Sequence, residues 1–363
     1  MINTCQEPAF ATAPGETLLE TIDALGMNQV ELAQRTGLSK KTINLIIKGN
    51  EPITQETALA LEKVLRVPAH FWLNLDSRYR ECLAREQESR KMEGFADWAR
   101  SFPYAEMAKR DFVPPVKDAA SKAGQLLAFF GVSHPERWGS LYGEMKLELS
   151  YRRTPKASEK LAALSAWLRK GELMADTVET QPFSEDLFRA NLAKIREMTV
   201  LEPKEFAPRI QALCAEAGVI YVLVPELAGL GISGVMRWYH GRPLIQQSLL
   251  FKSNDHFWFT FFHEAKHVLQ KKKKEIFLEG QNASHEDQKR EEEANRFSGD
   301  LLIQPAEWTE FLQEAPVINS ASIRAFAQRI RIHPGVIVGR LMREEVLDYS
   351  HPAQHLRAKF VWA

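Results

Sequence analysis

The chain has few of the features that mark secreted, disulfide-linked or membrane proteins. Its 363 residues include three cysteines, Cys5, Cys82 and Cys214, which are far apart and in no metal-ligand spacing. A disulfide framework and a cysteine zinc site are therefore not expected. No apolar run approaches the roughly 18–20 residues of a membrane helix, and residues 1–10 lack the basic and apolar regions of a signal peptide. We expect a cytoplasmic protein with reduced thiols and no membrane partner.

The chain also lacks a net charge. Lys and Arg number 47, as do Asp and Glu, so no overall positive field attracts nucleic acid and any such binding must depend on a local patch. A hydrophobic content of 45% and a charged content of 26% are ordinary for globular proteins. The length is sufficient for two or three domains, each with its own core.

Residues 261–267 contain the most informative pattern, Phe-Phe-His-Glu-Ala-Lys-His. His263 and His267 are four residues apart, so on a helix both imidazoles lie on one face and can reach one ion. Hydrolytic zinc takes three protein ligands and leaves a fourth position for water, whose proton Glu264 is placed to accept. The alternative is coincidence, because a pattern with three fixed positions also occurs in unrelated proteins.

A second segment, residues 291–302, offers the third ligand. Its apolar positions follow a helical period. Glu291 shares the buried side of this helix and is our first choice of ligand, with Glu293 as the alternative. Asn295, one turn after Glu291, is placed to hydrogen-bond the second ring nitrogen of a ligating histidine. An alternative explanation for acidic residues at the start of a helix is that they interact favourably with the helix dipole. That explanation suits Glu292 and Glu293 better than Glu291.

Residues 28–46 predict two short helices joined by a tight turn. Asn28 and Ser39 are good N-caps and Gly37 suits the turn. The helices are expected to meet through Val30, Leu32, Ala33, Leu38, Ile43 and Ile46.

The second of these helices has polar residues suited to DNA. We expect major-groove and phosphate contacts from Ser39, Lys40, Lys41, Thr42 and Asn44, with Gln29 and Lys48 on the DNA backbone. The alternative is a plain helical bundle that binds protein.

The rest of the chain predicts a helical linker region and then a helix-rich domain with a small sheet. Strand patterns occur at residues 218–225, 234–239 and 244–251, and Asn254 or Asp255 is expected to cap the following helix, which carries the histidines. A small sheet followed by a metal-binding helix is the layout of zinc peptidases, in which an edge strand can hold an extended substrate.

Two family resemblances follow from these motifs. Residues 28–75, through Pro68-Ala69-His70-Phe71-Trp72, resemble the helix-turn-helix of antitoxin repressors of the HigA type. Residues 255–264, the Glu-x-x-Ala-Asn-x-Phe run, Leu302-Ile303-Gln304-Pro305 and the segment 332–341 resemble ImmA/IrrE metallopeptidases. The second resemblance implies Zn²⁺ held by His263, His267 and Glu291, Glu264 as general base, and cleavage of repressors. This family usually has Leu-Gly where the chain has Ala265-Lys266, a change that would crowd the site or add a cation near it.

The resemblances imply a multidomain chain, with an all-α helix-turn-helix domain and a helix-rich α+β zincin-like peptidase domain. We predict a helix-turn-helix domain at 1–76, a helical linker at 77–125, the peptidase domain at 126–345 and a tail at 346–363. The expected function is a regulator or antitoxin that binds double-stranded operator DNA as a homodimer and cleaves itself or a partner repressor. One alternative is a non-enzymatic repressor whose C-terminal domain is a sensor. Another is a toxin–antitoxin or phage-defence component in which the peptidase-like half is the neutralised partner. The protein partner expected in these cases is a toxin or a repressor.

Overall fold

The computed structural model describes residues 12–149, 155–270, 285–314 and 317–361. Residue contacts divide the chain into two compact units. The first consists of Met1–Ala96 with Asp118–Ala123, and the second of Asp97–Lys117 with Gly124–Ala363. The first five helices are α1 Pro14–Ala24, α2 Gln29–Thr36, α3 Lys40–Ile47, α4 Gln55–Leu65 and α5 Ala69–Gly94. The predicted domain boundary at residue 76 lies inside α5.

The remaining elements are mostly helical, with a small sheet. The helices before the sheet are α6 Ala96–Arg100, α7 Tyr104–Lys109, α8 Ala119–Phe130, α9 Pro135–Leu149, α10 Pro155–Ala175, α11 Glu185–Glu197 and α12 Pro203–Glu216. The strands are β1 Ile220–Leu223, β2 Gly234–Tyr239 and β3 Arg242–Gln247. After them come α13 Asn254–Gln270, α14 His285–Leu302, α15 Pro305–Glu314, α16 Ser320–Ile330 and α17 Pro334–Arg343. Two 3₁₀ turns are Met198–Val200 and Pro352–Leu356.

Local side-chain hydrogen bonds start α2 and α3 where the sequence predicts. The Asn28 side chain accepts from the backbone N–H groups of Val30 and Glu31, both at 3.0 Å. Ser39 Oγ accepts from the Thr42 N–H at 3.0 Å, and Gly37 ends α2 at φ +75°. These caps satisfy donors that the first helical turn cannot pair internally.

One predicted core contact of the helix-turn-helix is wrong. Leu32, Ile43 and Ile46 are buried, but Val30 is 45% exposed. Val30 lies two positions before Leu32, about 200° around the helix, and therefore faces away from the core.

The three strands form one mixed sheet in the order β1-β3-β2. β1 runs parallel to β3, with Ile220 opposite Leu244, and β2 runs antiparallel to β3, with Val235 opposite Gln246. All three strand segments expected from the sequence are present, but β3 ends at Gln247, before residue 251. The Ser248 N–H still bonds the Ser233 carbonyl at 2.8 Å in the register of the β2–β3 pair. The chain then turns away from the sheet before Lys252, which takes φ +51°.

Helix α13 crosses the main core of the second unit, and its aromatic residues pack on both sides. Trp258, Phe261 and Phe262 are fully buried, and the Phe261 ring meets that of Tyr221 on β1 at 5.4 Å between centroids. At Gly339 of α17, an added Cβ would lie 2.4 Å from the Asp255 Cβ. α13 and α17 can therefore pack at backbone distance only because residue 339 has no side chain.

The C-terminal segment is attached to the start of α13. Arg357 binds the Asp255 carboxylate through Nε at 3.0 Å and Nη2 at 2.9 Å, and the Ala358 N–H donates to the Asn254 side chain at 3.1 Å. α13 begins at Asn254, whose side-chain oxygen accepts from the Asp255 N–H at 3.0 Å as well as from Ala358. The Asp255 side chain pairs with Arg357.

Within the described ranges of the chain, no helix combines the length and apolar character needed to cross a membrane.

Candidate metal centre and nucleic-acid interface

Helices α13 and α14 bring His263, His267 and Glu291 together. His263 and His267 are one turn apart on α13, and their Nε2 atoms lie 3.0 Å from each other. The two oxygens of Glu291, on α14, lie 3.2 Å from these nitrogens, one each. The side chains of His263 and His267 are 9% and 11% exposed, and that of Glu291 is 29% exposed. The cluster is therefore largely buried between α13 and α14, and solvent reaches it on the side of Glu291.

Hydrogen bonds to the other ring nitrogens define which atoms point into the cluster. His263 Nδ1 donates to Asn295 Oδ1 at 3.1 Å, the role predicted for Asn295. His267 Nδ1 donates to Gln270 Oε1 at 2.9 Å. Because a carbonyl oxygen only accepts, both Nδ1 atoms carry the proton and both Nε2 atoms present lone pairs. Two lone pairs and a carboxylate therefore converge on one point.

This convergence fits a tetrahedral metal ion. Ligand atoms bound at zinc–nitrogen and zinc–oxygen lengths lie about 3.3 Å apart around a tetrahedral centre. The two Nε2 atoms are 3.0 Å apart, and each lies 3.2 Å from a different oxygen of the Glu291 carboxylate. Acceptors brought this close repel one another unless a cation or a proton lies between them. Among the described residues, this is the one group of three metal-ligating side chains found within 4.8 Å of one another.

Contacts within the cluster shift the pKa values of Glu291 and His267 from their ordinary values. Burial acts to raise the pKa of Glu291, but hydrogen bonds with His263 and His267 lower it to about 2. Burial acts to lower the pKa of His267, whereas its bond to Glu291 and the charge of Glu264 raise it above the ordinary value. Both shifts favour the charged form of the side chain concerned.

Glu264 lies beside the first residue of β2. It is buried, and a Cβ added at Gly234 would lie 3.0 Å from its Cγ and 3.1 Å from Oε1. A Cβ there would also lie 2.8 Å from Thr260 Cγ2. The sequence did not identify Gly234, because this close approach joins segments thirty residues apart. β2 is an outer strand of the sheet, so the predicted general base lies against an outer strand.

Ala265 and Lys266, which stand where the resemblance implies Leu-Gly, are accommodated by the fold, and neither side chain lies in the cluster. Ala265 is fully buried in the core. Lys266 extends over the Phe297 ring of α14, with Nζ 5.6 Å from its centroid, and lines a shallow surface cavity with Glu293 and Arg296. Phe297 follows Asn295 by two positions and so lies on a different face of α14. The ammonium group is thus placed against an aromatic face, a favourable cation–π arrangement.

The two glutamates considered as third ligand have different surroundings. Glu291 contacts both histidines, whereas Glu293 Oε2 lies 3.4 Å from the Gln270 Nε2. Gln270 is itself a residue that the sequence did not single out. Its position three residues after His267, on the same helical face, was the one available signal.

The residues expected to contact DNA lie on the surface of the first unit. Ser39, Lys40, Lys41, Asn44 and Lys48 are exposed, and Gln29 and Thr42 are partly exposed. The Ser39 hydroxyl is already used, since it caps α3 and lies 2.9 Å from the Thr42 hydroxyl. Gly15 allows α1 to approach the end of α3, because a Cβ there would lie 2.0 Å from the Ile47 carbonyl oxygen.

Comparison with known proteins assigns both regions. Residues 18–72 match the family model described as Helix-turn-helix, and residues 229–342 match a peptidase-family model described as the IrrE N-terminal-like domain. The chain is similar to the "Uncharacterized HTH-type transcriptional regulator YbaQ" of Escherichia coli strain K12, with 34% identity over 67 residues. This match covers 18% of the chain and 59% of the relative. The protein of the same name from Escherichia coli O6:H1 matches with the same values.

The chain therefore joins a helix-turn-helix transcriptional-regulator domain to a peptidase-like domain of the IrrE N-terminal type. The resemblances to helix-turn-helix regulators and to the IrrE-type peptidase family, and the helix-rich fold with its small sheet, are confirmed.

Proposed function

We propose that the chain is a DNA-binding regulator whose C-terminal domain is a zinc-dependent endopeptidase. The observation that carries the proposal is the convergence of His263, His267 and Glu291, whose acceptor atoms lie 3.0–3.2 Å apart. These residues would hold Zn²⁺, with Asn295 orienting His263. When bound, zinc supplies a Lewis acid that activates water and polarises a peptide carbonyl.

The chain's own groups perform the remaining steps of peptide hydrolysis. The Glu264 carboxylate accepts a proton from the attacking water and delivers it to the nitrogen of the leaving amine. Because Glu264 is buried beside Gly234, its carboxylate is shielded from bulk water and fixed relative to β2. An extended peptide adding to the outer edge of β2 would pass its scissile bond over Glu264.

In the cell, the helix-turn-helix would bind an operator as a homodimer, with half-sites about one helical turn apart. The exposed Lys40 and Lys41 would contact phosphates, and Thr42 and Asn44 would contact bases. We place the protein in the cytoplasm, where its peptidase domain cleaves this chain or a partner repressor and so relieves repression. A tethered peptidase domain acts at an effective concentration of about millimolar.

The decisive experiment compares wild type with Glu264→Gln, which removes the base but no ligand. Both proteins should bind zinc and operator DNA equally. Wild type alone should cleave the regulator or a repressor encoded beside it, and should relieve repression of a reporter in cells. Loss of both cleavage and derepression in Glu264→Gln identifies cleavage as the switch.

The second candidate is a non-enzymatic regulator or antitoxin, whose C-terminal domain senses zinc or binds a partner such as a toxin. The observation that favours it is the departure at 265–266: the chain has Ala-Lys where the resemblance implies Leu-Gly, although Lys266 lies over Phe297 and outside the cluster. Derepression that persists unchanged in Glu264→Gln would support this function over the peptidase. Copurification with the product of a neighbouring toxin gene would identify the antitoxin form.

A further inference from the structure

Gln270, the last residue of α13, connects two of the three candidate zinc ligands. Its Oε1 accepts from His267 Nδ1 at 2.9 Å. Its Nε2 lies 3.3 Å from the Arg290 carbonyl oxygen and 3.4 Å from Glu293 Oε2. Arg290 and Glu293 flank Glu291 on the first turns of α14. One amide therefore touches a histidine ligand and the helical turn that carries the carboxylate ligand.

The surroundings of the amide fix its orientation. A carbonyl oxygen and a carboxylate oxygen only accept hydrogen bonds, so the NH₂ group of Gln270 must face Arg290 and Glu293. The amide oxygen must then face His267, and this oxygen requires a proton on Nδ1. The proton on Nδ1 leaves Nε2 of His267 with its lone pair, directed at His263 and Glu291.

We propose that Gln270, held by Glu293, is a positioning residue that selects the metal-binding tautomer of His267 and aligns it with Glu291. This inference rests on the proposed zinc site. It gives Glu293, the alternative ligand, a different task, which is to accept a hydrogen bond from the amide NH₂ group and so keep the amide oxygen towards His267. Removing a hydrogen-bond partner of a metal-ligating histidine typically lowers metal affinity 10–100-fold.

The test combines four variants with two measurements. Gln270→Met removes both hydrogen-bonding groups at nearly constant length. Gln270→Glu keeps the acceptor for His267 but faces the Glu293 carboxylate. The double variant Gln270→Glu with Glu293→Gln restores a donor opposite that acceptor. Gln328→Met, at an exposed position of α16, is the control for the Gln→Met substitution.

The first measurement is zinc affinity by competition with a chelator, with the melting temperature as a check on folding. Gln270→Met should bind about 10–100-fold more weakly, and Gln270→Glu should lose part of the affinity. The double variant should recover it, and Gln328→Met should match wild type. Recovery separates positioning from a general loss of packing, since the Gln270→Glu change remains in the double variant.

The second measurement is the tautomer of His267 in metal-free protein, read from imidazole ¹⁵N shifts at alkaline pH. Wild type and the double variant should hold the proton on Nδ1, and Gln270→Met should shift it towards Nε2. An Nδ1 tautomer unchanged in Gln270→Met overturns the inference, whatever the zinc result. Failure of wild type to bind zinc would instead contradict the proposed function, and the tautomer measurement would still decide the role of Gln270.

Discussion

The helix-turn-helix and the candidate metal centre place their candidate functional residues in opposite environments. Lys40, Lys41 and Asn44 are exposed on one short helix, α3. His263 and Glu264 are buried, and their cluster draws on α13, α14 and the start of β2. On α3, polar and positively charged side chains face solvent, where a negatively charged ligand such as DNA could reach them. In the cluster, two imidazole nitrogens and a carboxylate lie so close together that they repel one another unless a cation or a proton lies between them.

This difference has a consequence for mutation. Changes on the exposed face of α3 should alter binding with little effect on folding, because surface substitutions usually cost under about 0.5 kcal/mol. Changes around the metal centre should alter packing, charge and chemistry together, since each side chain there has several neighbours.

The largest expected effect comes from Gly234→Ala. The new Cβ would lie 2.8 Å from Thr260 Cγ2 and 3.0 Å from Glu264 Cγ, so Glu264 must shift. We expect about a 10²-fold fall in peptide cleavage and a loss of about 1–3 kcal/mol in unfolding free energy, with zinc retained. Gly124→Ala, which meets no atom within 4 Å on α8, is the control for cleavage rate and denaturation midpoint. Unchanged cleavage in Gly234→Ala would show that Glu264 is not held against β2.

A smaller effect is expected from replacing both Lys40 and Lys41 by alanine. Each phosphate contact contributes a slope of about one to the dependence of log affinity on log salt. The double variant should therefore bind all DNA sequences more weakly, and its salt slope should fall by about two. Replacing Lys63 and Lys91, also exposed, makes the same change in net charge away from α3. Equal losses in the two double variants would mean that total charge, and not α3, determines DNA affinity.

Asn44→Ala should relax sequence preference and leave nonspecific affinity nearly unchanged. The lost discrimination should be about 1–3 kcal/mol at one operator position, measured as the ratio of affinities for the operator and for a single-base variant. A uniform loss across all sequences would place Asn44 on the DNA backbone and not on a base edge.

The smallest effect concerns folding of the helix-turn-helix itself. Asn28→Ala removes the side chain that accepts from Val30 and Glu31 and should lower unfolding free energy by about 0.5–2 kcal/mol. Asn44→Ala is the same substitution inside α3, where alanine is the better helix former, and should cost nothing. Thermal denaturation of the two variants compares a capping asparagine with one that we propose contacts DNA. A stability loss in Asn44→Ala as large as in Asn28→Ala would contradict the assignment of the cap.

The sequence predicts best those features that depend on contacts between residues close together in the chain. The caps at Asn28 and Ser39 act on residues two or three positions ahead, so they are visible in the sequence. The His263–His267 spacing is equally local. Val30 was misplaced because an apolar residue at the start of a short helix does not reveal which face it occupies.

The parts that sequence reasoning missed depend on long-range contacts. The Gln270 side chain contacts the Arg290 carbonyl oxygen, twenty positions away. Gly234 of β2 lies close to Glu264 of α13, thirty positions away. Arg357 binds Asp255 across 102 positions, and nothing in residues 346–363, expected to be a tail, indicates this ion pair. Such pairings are set by the packing of α13 against its neighbours, which no local pattern encodes.

The measurement that tests the account most directly is the zinc content of purified wild type, Glu291→Ala and Glu293→Ala, with Glu292→Ala as the exposed neighbouring control. The account predicts a single zinc ion per chain in wild type. It predicts loss of zinc in Glu291→Ala, weakened but detectable zinc in Glu293→Ala, and wild-type zinc in Glu292→Ala. Zinc that survives in Glu291→Ala and is absent from Glu293→Ala would contradict it.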